Sequence, residues 1–144
     1  MVSDPYGLDR FVRAQDEAGT YAAAVRELHA GRKTGHWMWF VFPQLAGLGR
    51  SAAARHFALS GLAEARAYLA HPVLGPRLLA AARVLAGLPG TDPVAVLGPL
   101  DAQKLQSSMT LFARAQPGEP VFAEVLERYF GGTADEATLS RLEP

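Results

Sequence analysis

Cysteine is absent from all 144 residues of this chain, and that one absence excludes disulfides, thiolate nucleophiles and thiolate-ligated metal sites together. Charge is scarce and balanced: 19% of residues are charged, with 14 basic and 14 acidic side chains. Without a basic excess little is available to neutralise a phosphate backbone, so nucleic acid is not an expected partner. No apolar run approaches the ~20 residues that span a bilayer, so no membrane association is expected. Met1-Val2-Ser3-Asp4-Pro5 does not open a basic-then-apolar leader, so a signal peptide is not expected and the cytoplasm is the expected compartment. The histidines, His29, His36, His56 and His71, are scattered without His-x3-His spacing, and no metal or cofactor is expected. Long alternating runs of β-branched residues are missing, as are repeats, heptads and linkers. Those absences predict little or no sheet and one domain over residues 1–144.

What is present favours helix. Hydrophobic residues make up 49% of the chain, and alanine, leucine and arginine are abundant. Leu8, Phe11, Val12 and Gln15 mark a first helical face, and Tyr21, Ala24, Val25 and Leu28 a second, stopped by Gly31. Ser60 is placed to cap a helix from Leu62 to Ala70, and Pro76 to open another running to Leu88. Asp92-Pro93 predicts a short helix ending at Gly98-Pro99; Asp101 predicts the cap of a helix reaching Ala115. Pro120 opens a further helix, closed by Gly131-Gly132, and Thr133 with Glu136 forms a capping box before a last half-turn through Leu142. The expected class is all-α: a compact multi-helix bundle.

Three segments carry polar groups suited to chemistry. Gly35-His36-Trp37-Met38-Trp39-Phe40-Val41-Phe42-Pro43-Gln44 concentrates aromatics, and Pro43 limits any helix there to a short piece. A helical reading sets His36, Trp39 and Phe40 on one side with Trp37 nearly opposed. One side can then enter the core while the other lines a cleft, where an indole face stacks on a planar ring and Arg32 or Lys33 meets a phosphate. The structural alternative is a buried aromatic plug with solvated cations. In Asp101-Ala102-Gln103-Lys104-Leu105-Gln106-Ser107-Ser108, Asp101, Lys104 and Ser108 share a helix face beside the Leu105, Met109 and Phe112 stripe. The order is the reverse of a Ser-x-x-Lys signature, so no acyl-transfer site is read from it; an Asp cap and a surface ion pair are the simpler account. The third segment, His71-Pro72-Val73-Leu74-Gly75-Pro76-Arg77, places a cation in the first turn of a helix, an anion seat if Arg77 is not taken by a carboxylate.

These strings together resemble a small bacterial family, domain of unknown function 1810. The resemblance runs from Phe11-Val12-Arg13-Ala14-Gln15, through the aromatic block and Gly47-Leu48-Gly49, to Ala67–Leu78, Asp101–Phe112 and Tyr129-Phe130-Gly131-Gly132. It implies a mostly helical domain and no established activity. The calpastatin label sometimes attached to such proteins is at odds with this composition, because an inhibitor of that kind is disordered. A shorter, gapped likeness, through Phe11–Gln15 and His71–Leu79, is to the NADAR family (NAD- and ADP-ribose-associated), which implies N-glycosidic chemistry on ADP-ribose-like compounds. That family's catalytic acid has no clear counterpart here.

The functional expectation is a pocket shared by the three segments, for a nucleotide or ADP-ribose-like ligand, with hydrolysis as an extension. His36, Asp101 and Lys104 are the catalytic candidates. Lys33, Trp37, Trp39, Gln44, His71, Arg77, Ser107 and Ser108 are the ligand-binding candidates. The alternative is a non-catalytic interaction module or homodimer.

Overall fold

Alanine- and leucine-rich stretches punctuated by proline and glycine become helices with sharply set ends. The computed structural model describes residues 3–142; Met1 and Val2, which open the segment read above for a leader, lie outside the described residues. In chain order the α-helices are α1 (Asp9–Asp16), α2 (Thr20–His29), α3 (Met38–Val41), α4 (Ala52–His56), α5 (Leu62–Ala70), α6 (Leu74–Gly87), α7 (Pro93–Leu97), α8 (Pro99–Ala115), α9 (Pro120–Phe130) and α10 (Glu136–Leu142). Extended pairing among the described residues is limited to one isolated bridge between Leu45 and Leu59. Among the described residues the architecture is all-helical, without a sheet, and no helix is long and apolar enough to cross a membrane.

Helix ends follow local chemistry. Pro93, Pro99 and Pro120 occupy the first turns of α7, α8 and α9, where a missing N–H costs no helical hydrogen bond. Asp92 and Glu119 accept from the first-turn amides of Val94 and Val121 at 2.9 and 3.1 Å, and Gly131 ends α9 in the left-handed conformation.

Several starts differ from the sequence expectation. α8 begins at Pro99, so Asp101 lies inside its first turn rather than capping it. α6 begins at Leu74 instead of Pro76, because the His71 Nδ1 accepts the amides of Val73 and Leu74 at 3.1 and 3.2 Å. Ser60 does not cap α5; its amide and hydroxyl both donate to Glu64. At α10 the cap is Asp135, which accepts from the Thr138 amide and hydroxyl. The short α4, capped by Ser51, had no counterpart in the sequence reading.

α8 is the central element. It packs against α5, α7, α9 and α10, while α6 packs against α2, α5 and α9. Its stripe of Leu105, Met109 and Phe112 is buried, as is Ser108, and Ser107 and Thr110 are buried where α10 and the residues before it cover the helix. Ser107 and Thr138 share a hydrogen bond of 3.0 Å, and the Thr110 hydroxyl accepts the Asp135 amide at 2.9 Å. A continuous file of rings crosses the core, from Phe57 through Phe11, Tyr68 and Phe112 to Phe122, with neighbouring centroids 5.1–5.7 Å apart. At the edge of this core Arg10 donates to four backbone carbonyls and pairs with Glu64 at 3.0 Å, fastening the segment after α4 to α1.

Candidate functional site

The segment leaving α2 is folded back on that helix by one carboxylate. Gly31 turns the chain at φ 73°. One oxygen of Glu27 then accepts the amides of Thr34 and Gly35 and the indole N–H of Trp37, at 2.7, 2.8 and 3.0 Å. Partial burial tends to raise the Glu27 pKa, but these three donors outweigh it and hold the value at about 2. Space is tight at Gly35, where a Cβ would come 3.0 Å from the Trp37 ring. A further bond from the Lys33 amide to the Val96 carbonyl, 2.7 Å long, ties the segment to α7.

This folding separates the two tryptophans. Trp37 is 1% exposed and packs on Phe42 in the core. Trp39, in the single turn of α3, is half-buried and borders a cleft of about 350 Å³ with Lys33, His36, Leu100, Asp101 and Lys104. The prolyl start of α8 forms the facing wall.

Asp101 is shared by two lysines. Lys33 Nζ lies 2.8 Å from one of its oxygens and Lys104 Nζ 3.0 Å from the other. Each ammonium also sits over an indole: Lys33 is 5.1 Å from the Trp37 ring centroid and Lys104 is 5.0 Å from that of Trp39. Burial tends to raise the Asp101 pKa, yet the hydrogen bonds and charges of the two lysines prevail and keep it below the ordinary carboxylate value. Lys33 also donates to the Gly35 carbonyl, and its side chain is 8% exposed. Lys104 gives one donor to Asp101 and is 25% exposed. Of three ammonium N–H groups, Lys104 thus keeps two for other partners. The trio carries one net positive charge.

A second cleft, of about 230 Å³, adjoins the first, and Leu100 and Lys104 border both. Its lining includes Gln44, Gly49, Gln103, Ser107 and Asp135. Ser107 is already engaged by Thr138, as is one oxygen of Asp135. The side-chain amides of Gln44 and Gln103 make no hydrogen bond among the described residues.

The expected residues therefore divide. Lys33, His36, Trp39, Gln44, Asp101, Lys104 and Ser107 border one or other of two adjoining clefts. Trp37 and Ser108 are in the core; the buried Ser108 Oγ has no hydrogen-bond partner among the described residues. His71 borders a different cleft with Asp4, Tyr6 and Leu8. Arg77 pairs with Asp16 at 2.8 Å, donates to Gln15 at 3.2 Å and lies over the Tyr21 ring. His71 and Arg77 therefore lie apart from the two clefts that the aromatic segment and the start of α8 share.

Sequence reasoning missed Glu27 as the anchor of the loop, and Gln103, Leu100 and Asp135 as cleft walls. The exposed amide at Gln103, one position before Lys104 on the same helix, was the available signal. Among the described residues no group of three or more histidines, aspartates and glutamates is placed to hold a metal ion.

No curated protein shows a significant match to the chain. The chain is similar to the crystal structure of the conserved hypothetical protein Rv1873 from Mycobacterium tuberculosis: 48% sequence identity, a TM-score of 0.94, and coverage of 98% of this chain and 99% of that one. The model of the family described as protein of unknown function (DUF1810), which the sequence blocks resemble, matches residues 5–142, and the chain belongs to that family.

Proposed function

We propose that the face formed by α3 and the start of α8 binds a small anionic ligand with a planar ring, of the nucleotide class. The observation that carries this reading is the placement of Lys104: its ammonium is steadied by Asp101 and lies over one face of Trp39, with two donors not used in hydrogen bonds. A ring stacked on an indole gains about 1–3 kcal/mol, and an ammonium next to it supplies the charge-assisted bond that a phosphate requires. The cleft, near 350 Å³, falls at the small end of ligand sites.

Binding is a better-supported role than hydrolysis. Proton transfer requires a group that changes protonation near the working pH. Asp101 has each oxygen on a lysine and a lowered pKa, so it is an ionised positioning group. Of the other catalytic candidates, His36 is exposed at the cleft rim and Lys104 borders the same cleft.

A thermal-shift series with AMP, ADP and ADP-ribose tests the reading. At a hundred times its dissociation constant a ligand adds about 2.7 kcal/mol to stability. The wild type is expected to shift and Trp39→Ala to shift far less at equal ligand. No shift with any of the three refutes the proposal.

The second reading, a protein-interaction module or homodimer, is favoured by Val94 and Leu100, 48% and 73% exposed. Leu100 borders the same clefts. A concentration-dependent mass in light scattering that Leu100→Ser abolishes supports this reading; a monomer at all concentrations counts against it.

A further inference from the structure

We infer that the second cleft is a subsite for a polyhydroxyl group joined through phosphate to the ring-bearing part of the same ligand, so that the full ligand class is a nucleotide sugar. This rests on the nucleotide reading of the Trp39 cleft. Three observations support the extension. The two clefts meet at Lys104 and Leu100, so one ammonium can serve the phosphate that joins the two halves of the ligand.

The linings also differ in chemistry. The first cleft offers an indole face and cations, whereas the second offers Gln44, Gln103 and Asp135. Side-chain amides and a carboxylate both accept and donate, or accept in several directions, and so suit vicinal hydroxyls, each of which is at once donor and acceptor. Finally, these groups are available. Neither amide has a partner among the described residues, and Asp135 commits only one oxygen, to Thr138.

The second cleft is also firmly built. Asp135 is held by its own cap of α10 and by the hydrogen bond its backbone amide donates to the Thr110 hydroxyl. Gly49 lies against Ala54, where a Cβ would come 2.5 Å from the alanine methyl, so this part of the rim has no room for a side chain.

Isothermal titration of AMP, ADP, ADP-ribose and ADP-glucose into the wild type and Gln103→Ala tests the inference. At least one diphosphate sugar is expected to bind the wild type about tenfold more tightly than ADP, the equivalent of one or two added hydrogen bonds. Gln103→Ala is expected to remove most of that advantage while leaving ADP, which does not reach the second cleft, within about twofold of its wild-type affinity. If ADP binds and neither sugar improves on it, the subsite is refuted and the nucleotide reading stands. Equal weakening of ADP and the sugars by Gln103→Ala also overturns the subsite. If none of the four binds, both readings fail. Gln103 is exposed on α8, and a circular dichroism melt within a few degrees of wild type confirms that the variant is folded.

Discussion

Trp37 and Trp39, two positions apart, have opposite roles: Trp37 sits just before α3, and Trp39 lies within its single turn. Trp37 fills the core and donates to Glu27; Trp39 stands at a cleft under Lys104. Trp37→Ala is expected to cost about 3–5 kcal/mol by chemical denaturation, the usual loss for a deleted core aromatic. Trp37→Phe keeps most of the ring but removes one of the three donors to the Glu27 carboxylate, an expected loss of about 1.5–3 kcal/mol for a bond to a charged group. Trp39→Ala should cost clearly less than Trp37→Ala, as part of its ring is exposed. Equal losses at the two positions would contradict the assignment.

Glu27 gives a pH test at the same scale. Its pKa in the folded chain is about 2, against an ordinary 4.5. A depressed carboxylate stabilises the fold above its unfolded pKa, and that contribution disappears as pH falls toward the folded value. The Tm difference between wild type and Glu27→Gln should therefore be full at neutral pH, start to shrink near 4.5 and be mostly lost by pH 2. A pH-independent difference would mean that the carboxylate is not what holds the loop. The role of Glu27 was not legible in the sequence. Helical periodicity says where its Cβ points along α2, and nothing about a loop seven to ten residues later returning to it.

Among the elements, those with explicit punctuation were legible. Asp92-Pro93, Pro120 and Gly131 set the ends of α7 and α9 where the sequence reading put them. The start of α6 was harder to read, because its first turn is capped by an imidazole, a side chain seldom found in that role. At α8, Asp101 looked like a cap, but Gly98-Pro99 starts the helix earlier and frees the carboxylate for Lys33 and Lys104. Packing between α5 and α6 depends on Gly75, whose added Cβ would fall inside contact distance of the Leu69 carbonyl oxygen. Backbone cannot yield as a flexible side chain does, so Gly75→Ala is expected to destabilise by about 1–3 kcal/mol, read from denaturant midpoints at unchanged m-value. An unchanged midpoint would mean that the two helices separate without cost.

For the whole molecule, the all-helical class followed from composition and periodicity, and family membership from blocks spread over most of the chain. Convergence of those blocks was only partly legible. The aromatic segment and the start of α8 meet, whereas the His71–Arg77 segment does not join them. α6 packs against α2, α5 and α9, which turns Arg77 toward Asp16, Gln15 and Tyr21. Sequence spacing fixes a residue's place on its helix, but long-range packing decides which neighbour it meets. Zero net charge likewise concealed a local excess, the two lysines around one aspartate. The central claim is that Trp39 and Lys104 together receive a planar ring and its phosphate. Isothermal titration of ADP into wild type and Trp39→Ala tests it most directly. Saturable one-to-one binding is expected, weakened about 5–150-fold by loss of a stacking platform worth about 1–3 kcal/mol. Absence of binding to the wild type, or equal affinity for the two proteins, would contradict it.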